Sequence, residues 1–236
     1  MGVQHDKNFI NFNEWMLEKL NSGDIKIKEN LNLNVTIHDN CFSKSLGGKY
    51  WDPPRKILEK CGCNIIEMKH IKDSSLCCGF GAGASWVKNF AIIFDIISEG
   101  AKKFKEAEET GANALISYCT GCLYLLWATK ELLGSKIDIF HIIEVVRMAM
   151  GEKLEYPKAH IKRAWDIIAI MTYQLLVSIF QKNFYISRIT YNKDKSTYQP
   201  KKYSLLRIMR FFFNISIVRK VYAKVFRFLM TLINTR

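Results

Sequence analysis

Five of the seven cysteines in this 236-residue chain occur in settings that suit metal binding: Cys41 alone, the Cys77-Cys78-Gly79 triplet, and the pair Cys119-x-x-Cys122. Deprotonated thiols are soft ligands, and in this number they select an iron–sulfur cluster or zinc. A zinc ion takes four ligands and would leave one thiol over, whereas a multinuclear cluster can use five. Two readings without metal stand beside these. The thiols could be small buried hydrophobes, or Cys119 and Cys122 could exchange with disulfides. Cys61 and Cys63 lie outside the pattern. Flanking Gly62 at the start of an expected strand, they read either as packing residues on one face or as a second redox-active thiol site.

Scattered thiols can meet only if the fold brings their segments to one place. From Leu31 to Met150 short β-branched or apolar runs alternate with longer helical patterns, which predicts an α/β domain with a mainly parallel sheet and crossover helices. The expected strands are Asn34 to His38, Asn64 to Met68, Ala114 to Tyr118 and Lys136 to Phe140. Trp86, Phe90, Ile93, Ile97, Ala101 and Phe104 recur at helical spacing, and the pattern stops at Gly111. Leu123 to Leu133 before Gly134, Ile142 to Met150 before Gly151, and Pro53 to Lys60 also read as helices. On this scheme all five cysteines fall where strands end, and the crevice outside the carboxyl ends of a parallel sheet is where ligands bind. Gly79, Gly81, Gly83 and Gly121 would let the backbone approach a bulky inorganic group and turn N–H groups toward its sulfurs.

Charge divides the chain. Residues 157–236 hold 16 basic and 2 acidic side chains, a net +14 against −1 for residues 1–156. The expected domains are therefore 1–156, the cysteine-rich body, and 157–236, a basic helical C-terminal extension. That extension reads as an apolar helix from Ala164 to Gln181, a polar connector through Asn192 to Pro200, and a basic amphipathic helix from Ser204 to Ile233. Such a helix fits an anionic membrane surface or a groove on a partner subunit; nucleic acid ranks last, because the basic residues alternate with bulky apolar ones and no nucleic-acid motif accompanies them. The longest apolar run, Trp165 to Phe180, is too short for a membrane span and contains Asp166. The start of the chain lacks the apolar core of a secretion signal, so the cysteines are expected as thiolates in the cytoplasm, with the extension allowing a peripheral membrane position.

The motifs taken together resemble a known family. They are His38-Asp39-Asn40-Cys41, Pro54-Arg55-Lys56-Ile57-Leu58, Ile66-Glu67-Met68 leading to Ser75-Leu76-Cys77-Cys78-Gly79-Phe80-Gly81, and Thr110-Gly111-Ala112-Asn113-Ala114 running to Cys119-Thr120-Gly121-Cys122-Leu123. This pattern is similar to the cysteine-rich "CCG" domain of the B-type component of heterodisulfide reductase and of iron–sulfur subunits in glycolate, lactate and glycerol-3-phosphate oxidation. The resemblance implies that Cys41, Cys77, Cys78, Cys119 and Cys122 bind a [4Fe-4S] cluster of the open, non-cubane type. It also implies an electron-transferring subunit of an oxidoreductase whose redox partner is of flavin or ferredoxin type. One copy of the motif is present where the family usually has two, and Asn40 stands where it usually has proline. The competing reading is a zinc-stabilised, non-catalytic domain that anchors a complex. His38 reads either as a satisfied histidine at a strand end or as a hydrogen-bonding neighbour of the cluster. Asp39 is expected to cap its loop, and Arg55 either to balance cluster charge or to form a surface salt bridge.

Overall fold

The computed structural model describes residues 10–80, 92–180 and 204–234. Its centre is a four-stranded, wholly parallel sheet in the order β2-β1-β3-β4, formed by β1 (Asn34–His38), β2 (Asn64–Ile65), β3 (Ala114–Ser117) and β4 (Asp138–His141). The register pairs His38 with Ser117 and Ser117 with His141, so the strands end together at one edge. Val35 to His38 and all of β3 are buried, as expected for central parallel strands covered on both faces. The chain leaves β1 toward β2 on one side and later returns to β3 on the other. The switch point therefore lies between β1 and β3, where an open α/β sheet offers its crevice.

The helices are α1 (Phe12–Ser22), α2 (Cys41–Leu46), α3 (Asp52–Lys60), α4 (Ile92–Glu109), α5 (Thr120–Leu133), α6 (Ile142–Ala149), α7 (Lys158–Phe180), α8 (Ser204–Phe212) and α9 (Ser216–Asn234). Local chemistry sets their ends. Asn11 caps α1 by accepting the Asn13 N–H at 2.9 Å while Glu14 accepts the Asn11 N–H at 3.2 Å. Prolines occupy the first turn of α3, where no N–H is needed. His141 caps α6, with Glu144 returning to its N–H at 2.8 Å.

Two compact units partition the chain. The first comprises residues 1–78, 102–123 and 136–155; the second joins 79–101, 124–135 and 156–236. The first holds the sheet with α1, α2, α3 and α6. The second is helical, with a core of Phe94, Ile97, Leu132, Trp165, Phe213 and Phe226 among others. Within it Phe94 stacks on Phe226 at 5.0 Å, and Trp165 Nε1 donates to Glu131 at 2.8 Å. The second unit is also bound by Arg227 donating to the Leu132 carbonyl at 2.8 Å.

Several boundaries differ from the sequence expectation. β2 is two residues long rather than Asn64 to Met68, although the Ile66 N–H still reaches the Val35 carbonyl at 2.8 Å. The final helix is two helices, because the chain turns through Phe213, Asn214 and Ile215, closing i→i+3 bonds from Asn214 to Phe211 and from Ile215 to Phe212 while Phe213 is buried. Gly81, Gly83, Trp86, Phe90 and the Asn192–Pro200 connector lie outside the described residues.

Candidate metal centre

The cysteines sit on three segments at the carboxyl edge of β1 and β3. Cys41 opens α2 three residues beyond His38, and the helix is capped by Asn40, whose Oδ1 accepts the Ser43 N–H at 2.9 Å. Asparagine at this position thus serves as an N-cap, a role proline cannot fill through its side chain. Cys119 immediately precedes α5 and Cys122 lies in its first turn. Cys77 and Cys78 lie in the irregular stretch that follows β2 and the 3-10 turn Lys72–Ser74. Cys78 and Cys122 are buried, Cys119 is half-buried, and Cys41 and Cys77 are exposed. A ring nitrogen of His38 and the Sγ atoms of Cys78 and Cys122 all lie within 4.8 Å of one another.

The thiols sense each other. The Cys119 thiol is pushed down to about 5, because Cys122 donates to its sulfur and the Cys122 and Gly121 N–H groups at the start of α5 do the same. Cys122 is pushed up by its hydrogen bonds to Cys119 and Cys78 and by burial. Cys41 is raised by burial and by the like charges of Cys77, Cys78 and Cys119. Five thiols so grouped would repel one another once deprotonated, so the set suits a strongly positive centre with affinity for sulfur; the donor chemistry fits an iron–sulfur group. The two ring nitrogens of His38, buried without a hydrogen-bond partner, are polar capacity left over beside those sulfurs.

A polar network that sequence reasoning did not assemble supports the three segments. The buried Asp39 carboxylate accepts two hydrogen bonds from Arg55, at 3.1 and 2.9 Å, one from the Lys72 N–H at 2.7 Å and one from the Tyr118 hydroxyl at 2.9 Å. Burial pushes this carboxyl up, but Arg55, Lys72 and Tyr118 outweigh it and hold Asp39 below the usual carboxylate range. Ser75 donates to the Asp39 carbonyl at 2.9 Å, and Ser43 meets Tyr118 at 2.8 Å. Asp39 is two residues from Cys41, Ser75 two from Cys77, and Tyr118 adjacent to Cys119, so one residue, through its carboxylate and its backbone carbonyl, registers all three thiol-bearing segments. Arg55 is not a surface ion pair. It is buried between Asp39 and Glu67, with Nε to Glu67 at 2.6 Å, because the N-terminal half of α3 faces inward. Next to this network Lys103 is fully buried, with Nζ 3.3 Å from Ser75 Oγ and 3.4 Å from Glu106, and burial lowers its pKa. Glu106 also pairs with His70.

The structure adds a reason for Gly79 to be glycine. Its φ is +91°, and a Cβ there would lie 2.1 Å from the Ile96 carbonyl oxygen, so the loop approaches α4 closely. Gly121 does direct its N–H at a cysteine sulfur. Cys61 and Cys63 are buried, Cys61 as the cap of α3 and Cys63 just before β2, so they are not alternating residues of one strand. Burial pushes their thiols up to about 12 and about 11, which keeps both protonated and unreactive at neutral pH.

A parallel α/β sheet with five thiols and a buried histidine at its switch point defines a cysteine-rich α/β domain. Residues 35–126 match the family model of the cysteine-rich domain, CCG. The chain is similar, at 29% identity over 62% of its length, to one of the subunits of dihydromethanophenazine:CoB–CoM heterodisulfide reductase from Methanosarcina acetivorans, of which it covers 35%. It is 33% identical over 57% of its length to lactate utilization protein A 1 of Bacillus mycoides, covering 51% of that protein. It is also 32% identical over 32% of its length to the probable iron-sulfur-binding oxidoreductase FadF of Bacillus subtilis, covering 11%. The chain spans about half or less of each of these relatives.

Proposed function

We propose that this chain is an iron–sulfur, electron-transferring subunit of an oxidoreductase, in which Cys41, Cys77, Cys78, Cys119 and Cys122 hold a [4Fe-4S] cluster. The observation that supports this reading is the grouping of Cys78, Cys122 and His38 within 4.8 Å, with Cys41, Cys77 and Cys119 in electrostatic reach of the same group, in a chain whose residues 35–126 match the CCG family model. When bound, such a cluster supplies one-electron storage at a potential set by its surroundings. The resemblance to the CCG domain implies the open, non-cubane type, which a fifth thiolate would suit. The Asp39 network fixes the spacing of the thiol segments, the start of α5 favours the Cys119 thiolate, and the exposed Cys41 and Cys77 form the side open to a redox partner of flavin or ferredoxin type. The test is iron, acid-labile sulfide and zinc content, with EPR, on protein purified without oxygen. Near four irons and four sulfides per chain, lost or converted in Cys78→Ser, supports the assignment; one zinc and no sulfide replaces it with a structural anchor.

Residues 157–236 serve in this reading as the docking element, and the surface they fit is an anionic membrane. On α9, Ala223, Phe226 and Met230 are buried, while Ile217, Val221, Val225, Phe228 and Leu232 recur at helical spacing on the opposite face, each more than half exposed. Lys220, Lys224 and Arg227 run beside that stripe, and residues 204–234 contain six basic and no acidic side chains. No helix among the described residues is long and apolar enough to cross a membrane. A basic helix with an exposed apolar stripe fits a membrane surface, with roughly 1 kcal/mol of attraction per basic residue. Flotation with vesicles containing phosphatidylserine should recover the chain, whereas neutral vesicles, or Ile217→Ser with Phe228→Ser, should not. Equal recovery on neutral vesicles, or no recovery on anionic ones, would transfer the stripe to a protein groove.

A further inference from the structure

His38 terminates β1 at the switch point and is 1% exposed. Among the described residues it is the one histidine whose two ring nitrogens are both buried and without a hydrogen-bond partner. The other histidines there have defined roles: His70 pairs with Glu106, His141 caps α6, and His160 stacks on Trp127. Buried polar groups are almost always satisfied, so an imidazole with two orphaned nitrogens, packed within 4.8 Å of the Cys78 and Cys122 sulfurs, is arranged for something those sulfurs hold.

We infer that His38 donates an N–H hydrogen bond to a sulfur of the iron–sulfur group held by Cys78 and Cys122 and thereby raises its reduction potential; this rests on the reading of those thiols as cluster ligands. A neutral imidazole carries one N–H in either tautomer and a protonated one carries two, so a donor is available whatever the pH. Direct ligation is not needed, because the thiols already number five. Donors to the sulfurs of a cluster stabilise its more negative, reduced state, and such neighbours are among the main determinants of potential. His38 is thus a positioning and tuning residue rather than a catalytic one. Its backbone is fixed by β1 and by the in-register pairing of His38 with Ser117, and the ring is enclosed, so the donor sits beside the sulfurs before the group arrives.

The test uses the full chain prepared without oxygen as wild type, His38→Leu, His38→Asn and His38→Gln. The two amides place an N–H near the reach of Nδ1 and Nε2 respectively. Iron and sulfide content is read first, then the midpoint potential by EPR-monitored titration. The expected result is unchanged content in all four, a lower potential in His38→Leu, and recovery by one of the amides. Pulsed EPR on wild type labelled with [15N]histidine should show a weak 15N coupling, absent from His38→Gln where that variant accumulates; no 15N coupling in wild type overturns the inference even if the variants fail to accumulate. A potential unchanged in His38→Leu at full iron content, an equal shift in all three variants, or a strong coupling typical of nitrogen bonded to iron overturns the inference. Wild type without iron and sulfide removes the cluster reading itself, an outcome separate from the failure of His38 to act on a cluster that is present.

Discussion

Replacing Asp39 by asparagine keeps the shape of the side chain and removes its charge. The carboxylate side chain is wholly inaccessible and accepts four hydrogen bonds, two of them from a guanidinium that is itself 11% exposed. An amide has one acceptor oxygen and turns an NH2 toward donors, so at least one Arg55 bond and one of the bonds from Lys72 or Tyr118 are lost. Breaking a buried pair by neutralising one member typically costs 3–5 kcal/mol. Glu67 remains on Arg55 at 2.6 Å, which places the expected loss near the lower end, at about 3 kcal/mol. The assay is urea unfolding of the reduced, metal-free chain without oxygen. At an m-value of about 1–3 kcal/mol/M the midpoint falls by roughly 1–3 M with little change in slope. Glu67→Gln, at the rim of the same guanidinium, should cost under about 1 kcal/mol. A loss in Asp39→Asn no larger than in Glu67→Gln would refute the claim that this carboxylate is the hub of the site.

Gly79→Ala should cost at least about 2 kcal/mol in the same unfolding assay, since a Cβ meets the Ile96 carbonyl at 2.1 Å and φ is +91°; an unaltered midpoint would mean that α4 does not approach this loop. Lys103→Met should leave metal-free stability unchanged or raise it by about 1 kcal/mol, because a desolvated cation is removed while Glu106 keeps His70. A large loss would show that Lys103 balances charge on which folding depends. Cys61 and Cys63 should resist a thiol reagent at pH 8 in the folded chain. Their folded pKa values lie above the ordinary 9.0, so the stability they contribute is complete below about pH 9 and falls as pH rises toward about 12. Urea midpoints across pH 8–11 in wild type and Cys61→Ala test this, and an identical slope in both would contradict it.

The fold class and the central strands are legible in the sequence because β1 and β3 are buried on both faces and so read as apolar runs between turn signals. β2 is shorter than its apolar run suggests, since an edge strand can leave the ladder while still packing. α1 escaped notice although its signals are present: Asn11 with Glu14 three residues on, Met16 and Leu20 on one face, and Gly23 at φ +80° as the end. The short α2 could have been inferred from Asn40 as a cap. The alternation of buried and exposed apolar residues on α9 was less accessible, because a helix with two apolar faces shows the same periodicity whichever face is covered. What could not be read at all is the Asp39 network, whose partners Arg55 and Tyr118 are 16 and 79 residues away. No local pattern encodes contacts of that separation.

That network also explains how thiols so far apart in sequence can be held without bridges between them. Cys41, Cys77 and Cys119 belong to segments that share no regular secondary structure, and hydrophobic packing alone would fix their loops loosely because two of the three cysteines are exposed. Directional bonds do what packing cannot. Asp39 ties the first segment to the third through Tyr118 and, through its carbonyl and Ser75, to the second. Since Arg55 neutralises Asp39 within the same buried pair, the network adds little net negative charge beside thiolates that already repel one another. Positioning and electrostatics are thus met by the same four side chains. This is why the severity of Asp39→Asn, rather than that of any single cysteine substitution, measures how far the site is built before it binds.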